Sequence, residues 1–339
     1  MADEGDILLE VRNLKAGFRS REGLLRAVND VSFTVHRGRT LGVVGESGCG
    51  KSVTAQSILR RVPSTGVIAG GEVLLHGDGA TVDLLKLEAD GEEIRAIRGR
   101  VISMIFQEPM TSFSPVISIG DQIAEVIELH QGCDHAEARR WAAEILGRVG
   151  MPRPEQQLDS YPFSLSGGMC QRAMIAMALS CRPQLVIADE PTSALDVTTQ
   201  AQILELLRRL QREDRLAVMI ITHDLGVVAE MADEVLVMYL GDSVESGPVR
   251  RIFREPRHPY TRGLLASVPK LGSRSRERLV PIEGSVPSLL ERPKGCPFHS
   301  RCPERIAGRC EVVEPTEVEV APGHRVKCHL YGEGRATDA

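Results

Sequence analysis

The chain has 339 residues, of which 42% are hydrophobic and 26% charged, with a formal charge of -5 at pH 7. These are the proportions of a soluble globular protein with one large core and an appendage, and the acidic balance leaves no electrostatic footprint for DNA or RNA, so no nucleic-acid partner is expected. The start, Met1-Ala2-Asp3-Glu4-Gly5-Asp6, lacks the basic and apolar regions of a secretory signal, and no apolar run approaches the ~20 residues of a membrane helix.

In chain order, residues 6–11 and 27–35 alternate apolar and polar side chains as strands do, with a polar loop predicted over 19–23. Phe18, in a chain with only 4% aromatic residues, is placed either to stack on a nucleotide base or to fill the core. Residues 40–44 form a short apolar strand, and 53–61 a helix. Between them lies Gly45-Glu46-Ser47-Gly48-Cys49-Gly50-Lys51-Ser52: a glycine, four free positions, glycine, lysine and serine, leading into Val53. Glycines there let backbone N–H groups curl round an anion, and the helix N-terminus adds roughly half a positive charge aimed at phosphates. Lys51 would reach the β- and γ-phosphates of a nucleotide, and Ser52 would take a place on Mg²⁺.

A strand is expected at 70–76 and a fully apolar one at 101–106, ending at Gln107, where a polar amide can approach a γ-phosphate, its metal or an attacking water. The period then becomes helical over 117–149, with Ile119, Ile123, Val126 and Ile127 on one face and Trp141, Ile145, Leu146 and Val149 on another, until Pro152, Pro154 and Pro162 break the pattern. Ser166-Gly167-Gly168-Met169 opens a helix running to Leu179 and is a second anion-binding N-terminus or an ordinary cap. Residues 185–190 are four apolar residues running into two acids, with Asp189 suited to Mg²⁺ and Glu190 to a general base. The turn Ser193-Ala194-Leu195-Asp196 precedes a helix at 198–213, and a buried strand at 216–221 delivers Thr222-His223-Asp224 to the edge where parallel strands bring their C-terminal ends.

Ten of the nineteen prolines lie from Pro256 onward, so a loop-rich tail ordered by something other than regular structure is expected. Cys49, Cys133, Cys170 and Cys181 are scattered and read as packing thiols. Cys296, Cys302, Cys310 and Cys328 cluster in the tail as four thiolates suited to an iron–sulfur cluster or tetrahedral zinc, and the lack of a Cys-x2-Cys pair favours [4Fe-4S]. His299, His324 and His329 are alternative ligands.

Taken together, residues 45–52, Gln107, 166–169, 185–190, 193–196 and His223 resemble, in order and spacing over roughly the first 250 residues, the Walker A, Q-loop, signature, Walker B, D-loop and H-loop of an ATP-binding cassette ATPase. The resemblance implies an α/β phosphate-loop NTPase fold with an antiparallel β subdomain and a helical subdomain at about 108–180, within a cassette spanning 1–255. It implies ATP held by Phe18, by Gly45, Ser47, Gly48, Cys49, Gly50, Lys51, Ser52 and Val53, and by Gln107 and Asp189; Mg²⁺ on Ser52, Gln107 and Asp189; and Glu190, His223 and Gln107 as the catalytic set. Two cassettes face head to tail in this family, so Ser166, Gly167, Gly168 and Asp196 would complete the site of a second ATPase subunit, which in relatives is usually a paralogue. Met169 stands where many cassettes have glutamine.

Gly-Glu-Ser-Gly in Walker A and His258-Pro259-Tyr260-Thr261 with Leu264 and Leu265 are similar to the oligopeptide/dipeptide importer ATPase subunits and their nickel and oligosaccharide relatives. That likeness implies a C-terminal extension over 256–339 carrying the four-cysteine cluster, two transmembrane permease subunits and an extracytoplasmic solute-binding protein as partners, and a peripheral place on the cytoplasmic face of the membrane. The alternative is a soluble cassette ATPase acting on ribosomes or DNA; against it stand the single cassette, the acidic balance and the absence of basic or coiled-coil inserts.

Overall fold

The computed structural model describes residues 6–331 except 22, 78, 194 and 269–280; the acidic start and Ala194 of the 193–196 turn lie outside the described residues. The chain divides into two compact units, one of Met1–Leu9, Val35–Thr40 and Leu75–Ile221, the other of Glu10–Thr34, Leu41–Leu74 and Thr222–Ala339.

In the first unit three parallel strands, Ile102–Ile105, Leu185–Asp189 and Ala217–Thr222, lie side by side in that order, with Ile105 opposite Ala188 and Asp189 opposite Ile221. Their continuous apolar runs reflect burial on both faces, and every side chain from Leu185 to Ala188 and from Ala217 to Ile221 is fully buried. Parallel register brings the C-terminal ends to one edge, so Gln107 and the Asp189-Glu190 pair emerge together.

The helical stretch expected over 117–149 resolves into two helices, Ile119–Gln131 and His135–Arg148. Gly132 ends the first in the left-handed region at φ 68°, and Asp134 caps the second by accepting from the Glu137 N–H at 2.8 Å. Ile119, Ile123, Ile127, Ile145, Leu146 and Val149 are buried as the period predicts, whereas Val126 and Trp141 are half-buried. Both helices pack on Gly167–Leu179, whose Ala173 to Ala176 are fully buried.

The second unit holds most of the strands Gly23–His36, Ile7–Ser20 and Gly66–His76, which are neighbours in that order. The first strand runs on to Ser20 and the second starts at Gly23, so the strands take in most of the loop expected over 19–23. Thr40–Val44 lies parallel to Glu234–Tyr239, which pairs antiparallel with Asp242–Pro248.

The tail corrects the expectation of little regular structure. His324–Lys327 pairs antiparallel with both Asp242–Pro248 and Glu317–Ala321, so the tail adds a hairpin to the sheet edge. Proline density did not prevent a helix at Pro259–Ala266, because Pro259 sits at its first position, where no N–H is needed. What orders the tail is an aromatic core: Tyr239, Tyr260 and Phe298 are fully buried, with ring centroids 4.7 to 5.4 Å apart.

His258 caps that helix, its Nδ1 accepting from the Tyr260 N–H at 3.0 Å, while Glu245 accepts from the His258 N–H at 2.9 Å and the Arg257 N–H at 2.7 Å. Burial pushes the His258 imidazole down to about 4, with Glu245 opposing and Arg262 adding to the fall. The unfolded chain therefore binds a proton that the folded chain refuses between about pH 6.5 and 4, so stability is lost as pH falls through that window. From pH 7 to 5 the loss from this group is about 2 kcal/mol. Asparagine at 258 keeps a capping acceptor without a titrating ring; denaturant midpoints at the two pH values should show a smaller drop in His258→Asn than in the parent, and equal drops would refute the assignment.

Candidate nucleotide-binding site

The phosphate loop belongs to the second unit. Thr40–Val44 is wholly buried and delivers Gly45 with φ 154°; a Cβ there would lie 2.2 Å from the Met238 carbonyl oxygen. Gly50, at φ 100°, is equally constrained, since a Cβ would meet the Ala27 oxygen at 2.1 Å. Helix Lys51–Ile58 begins at Gly50 with no side-chain cap, so its first N–H groups face the loop. Lys51 is buried, and its Nζ donates back across the loop to the Gly45 oxygen at 2.8 Å and the Glu46 oxygen at 3.1 Å. Ser47 and Gly48 are exposed at the tip, while Ser52 and Val53 are half-buried in the first turn. Cys49 is buried beneath, its thiol pushed up by burial and partly drawn back by Lys51. An anion entering this concavity would meet backbone donors and an ammonium group that now rests on carbonyls.

Phe18 is half-buried on Ile7–Ser20 rather than in the core, and His223 is exposed after Thr222, followed by Asp224, which caps the helix Leu225–Met231.

The paired acids belong to the first unit. Asp189 is buried at the end of its strand. Glu190 takes the left-handed conformation at φ 46°, rare for a residue with a Cβ, and its N–H donates to the Ile221 oxygen at 2.8 Å. Gln107, exposed past its strand, donates from Nε2 to Glu190 Oε2 at 3.3 Å. The residue pair expected to handle water is thus in contact.

Ser166 caps Gly167–Leu179, accepting from the Met169 N–H at 3.4 Å. A Cβ on Gly168 would lie 2.8 Å from Thr199 Cγ2, so the start of this helix abuts the start of Val197–Asp214. Asp196 caps the latter from Oδ1, to the Thr198 and Thr199 N–H groups at 3.0 Å each, and Oδ2 accepts from the Thr199 hydroxyl at 2.7 Å. These bonds, the Thr199 hydroxyl first, hold its carboxyl below the ordinary value.

In the tail, burial pushes the Cys296 thiol up to about 12, with Cys328, Cys310 and Cys302 adding to the rise, and pushes Cys328 up to about 11, with Cys302 and Cys310 adding. The Cys296 N–H donates to the Cys310 oxygen at 2.8 Å, and Cys310 Sγ accepts from the Ile306 N–H at 3.3 Å. Yet among the described residues no three His, Cys, Asp or Glu side chains are arranged to hold a metal ion, so the placement of Cys296, Cys302, Cys310 and Cys328 gives the iron–sulfur and zinc expectations no support. Cys296 and Cys310 pack into the same buried cluster as Tyr239, Tyr260 and Phe298. The alternative histidines are engaged elsewhere: His299 with the Cys296 oxygen, His324 with Glu245, and His329 with the Val313 oxygen. All eight cysteines are free, and no helix among the described residues is long and apolar enough to cross a membrane.

Two residues in contact with the phosphate loop escaped sequence reasoning. The Tyr260 hydroxyl accepts from the Glu46 N–H at 2.8 Å, and Arg301 grips the Glu46 carboxylate at 2.7 and 3.1 Å. Tyr260 stands out in the sequence within His258-Pro259-Tyr260-Thr261, but nothing local marks Arg301.

A glycine-lined loop feeding an uncapped helix, with paired acids ending a buried strand, defines an ATP-hydrolysing cassette. The ABC transporter profile matches residues 28–193, and the profile of the oligopeptide/dipeptide transporter C-terminal region matches 244–310. The dipeptide transport ATP-binding protein DppD of Bacillus subtilis is 47% identical over 327 residues, covering 96% of this chain and 95% of that protein. The oligopeptide transport ATP-binding protein OppD of Salmonella typhimurium is 47% identical over 323 residues, 95% of this chain and 93% of that one. Among solved structures, the ATP-binding cassette MJ0796, as a post-hydrolysis dimer bound to ADP and Pi, is 26% identical with a TM-score of 0.62, covering 72% of this chain and 99% of its own. The chain belongs to the ABC transporter family, in its branch of peptide-transport ATP-binding proteins. It is an ABC-type ATPase of α/β fold.

Proposed function

We propose that this chain is the ATP-hydrolysing subunit of an importer that powers uptake of oligopeptides or dipeptides, or a related small solute, across the cytoplasmic membrane, seated peripherally on its cytoplasmic face. The observation that carries this is the match along nearly the full length, C-terminal region included, to dipeptide and oligopeptide transport ATP-binding proteins. The cassette would occupy 1–255, with its helical subdomain at about 108–180, and the importer-type extension 256–339. The soluble alternative acting on ribosomes or DNA finds no support in these relatives.

In the proposed mechanism Lys51 leaves the Gly45 and Glu46 carbonyls for the β- and γ-phosphates, which also receive the N–H groups at the start of Lys51–Ile58. Phe18 stacks on the base. Ser52, Gln107 and Asp189 would hold Mg²⁺, which supplies charge neutralisation on the phosphates. Glu190, positioned by Gln107, takes a proton from water as its oxygen bonds to the γ-phosphorus; the bond to the bridging oxygen breaks and ADP leaves. His223 holds the γ-phosphate in line. Ser166, Gly167, Gly168 and Asp196 cover the ATP of a second ATPase subunit, in keeping with the dimer formed by the MJ0796 cassette. Closure of the two cassettes would pull on two permease subunits, served outside by a solute-binding protein.

The finer reading of the tail is a [4Fe-4S] cluster on Cys296, Cys302, Cys310 and Cys328, with zinc as the alternative; it rests on the four cysteines and their spacing in the sequence, which lacks a Cys-x2-Cys pair. One experiment addresses both proposals: anaerobic purification from detergent-solubilised membranes, with protein and elemental analysis of the same sample. Hydrophobic permease partners and about four irons per chain are expected. Co-sedimentation with ribosomes would overturn the importer, and colourless protein with one zinc, or with no metal, would overturn the cluster.

A further inference from the structure

We propose that Arg301 and Tyr260, both in the C-terminal region, are positioning residues for the phosphate loop, holding its second residue, Glu46, so that the tail sets the loop's affinity for a nucleoside triphosphate. The inference rests on the triphosphate reading given above.

Three polar parts of Glu46 are engaged, and the tail holds two of them. Its N–H donates to the Tyr260 oxygen at 2.8 Å, and its carboxylate receives Arg301 Nη1 on Oε2 at 2.7 Å and Nη2 on Oε1 at 3.1 Å. Only its carbonyl is left to Lys51, at 3.1 Å. Arg301 is itself fixed. Its side chain is 4% exposed, its Nε donates to the Glu283 oxygen at 3.0 Å, and its guanidinium lies 5.8 Å from the Tyr239 ring centre and 6.0 Å from that of Phe298. Tyr260 is fully buried against the same two rings.

The chemistry of the loop makes this contact consequential. A carboxylate in a loop that must receive a triphosphate repels its ligand unless a cation neutralises it, and a fork on both oxygens neutralises it while fixing its direction. The division of labour follows: the bonds from the tail hold the loop's entry in place, and the bond from Lys51 is the one free to be exchanged for phosphate.

The test measures binding of a fluorescent ATP analogue, with Mg²⁺, to the full chain, alongside KM and kcat for ATP. Arg301→Met should raise Kd and KM about tenfold with kcat changed far less, and Tyr260→Phe, which keeps the ring and removes the acceptor, about threefold. The charge argument makes a sharper demand. Adding Glu46→Gln to Arg301→Met removes the stranded carboxylate and should bring Kd back to within about twofold of Glu46→Gln alone. A merely structural pair would lower the melting temperature of Arg301→Met without moving Kd, and that result overturns the proposal, as does a double variant no better than Arg301→Met. If Arg301→Met fails to fold, Arg301→Gln, which also removes the cation, takes its place in both comparisons, beside Tyr260→Phe. Lys51→Ala, run in parallel, separates the two readings: normal ATP binding there sinks the triphosphate site itself, whereas loss there with none in Arg301→Met sinks only this inference.

Discussion

The Glu190→Gln protein is expected to bind ATP and lose turnover by about two to four orders of magnitude, the range removed with a positioned general base. Glutamine matches glutamate in shape and can still meet Gln107, whose Nε2 stands 3.3 Å from Glu190 Oε2, so the backbone held by the Ile221 oxygen need not shift. What disappears is the lone pair basic enough to take a proton from water. Because binding survives and hydrolysis does not, ATP should accumulate in the closed pair of cassettes, and gel filtration with ATP and Mg²⁺ should show a dimer that the parent forms only transiently. Single-turnover rates provide the check. Near-normal hydrolysis in the variant would remove Glu190 from the role of base, and the φ of 46° at this position would then need another explanation.

Lys51→Ala should fail one step earlier. The ammonium group is buried, with the Gly45 and Glu46 carbonyls as partners in the structure described, so its removal takes away the one side-chain cation within the 45–52 loop. Truncating one partner of a desolvated charge pair costs about 2–5 kcal/mol, hence a loss of ATP affinity of about thirtyfold or more. The same substitution takes a donor from the Gly45 carbonyl, at about 1–3 kcal/mol if water cannot reach it, while the Glu46 carbonyl keeps the Cys49 N–H at 3.3 Å. Titration with ATP and a melting curve without nucleotide separate the effects. A protein that melts lower but binds ATP as tightly as the parent would show Lys51 to be a brace for the loop and nothing more.

Local structure was legible wherever a local pattern carries the physics. Alternation and apolar runs located Thr40–Val44, Leu185–Asp189 and Ala217–Thr222 to within a residue or two, because a strand buried on both faces tolerates little else. Gly45 and Gly50 could be singled out because their spacing from Lys51 encodes a backbone no side chain allows. Gln107 and the acids at 189 and 190 followed from the same rule about strand ends.

The tail was misjudged for a reason of the opposite kind. Proline count is a local measure, while the order found there comes from partners far along the chain: His324–Lys327 on Asp242–Pro248, Phe298 on Tyr239 and Tyr260, and His324 on Glu245 at 2.7 Å.

From the sequence alone came the class of chemistry, the phosphate loop and the acids, since each depends on neighbours a few residues away. The tertiary structure alone decided that Glu46 is held by Tyr260 and by Arg301, the latter 255 positions further on, because an ion pair between distant segments leaves no periodicity or spacing to read.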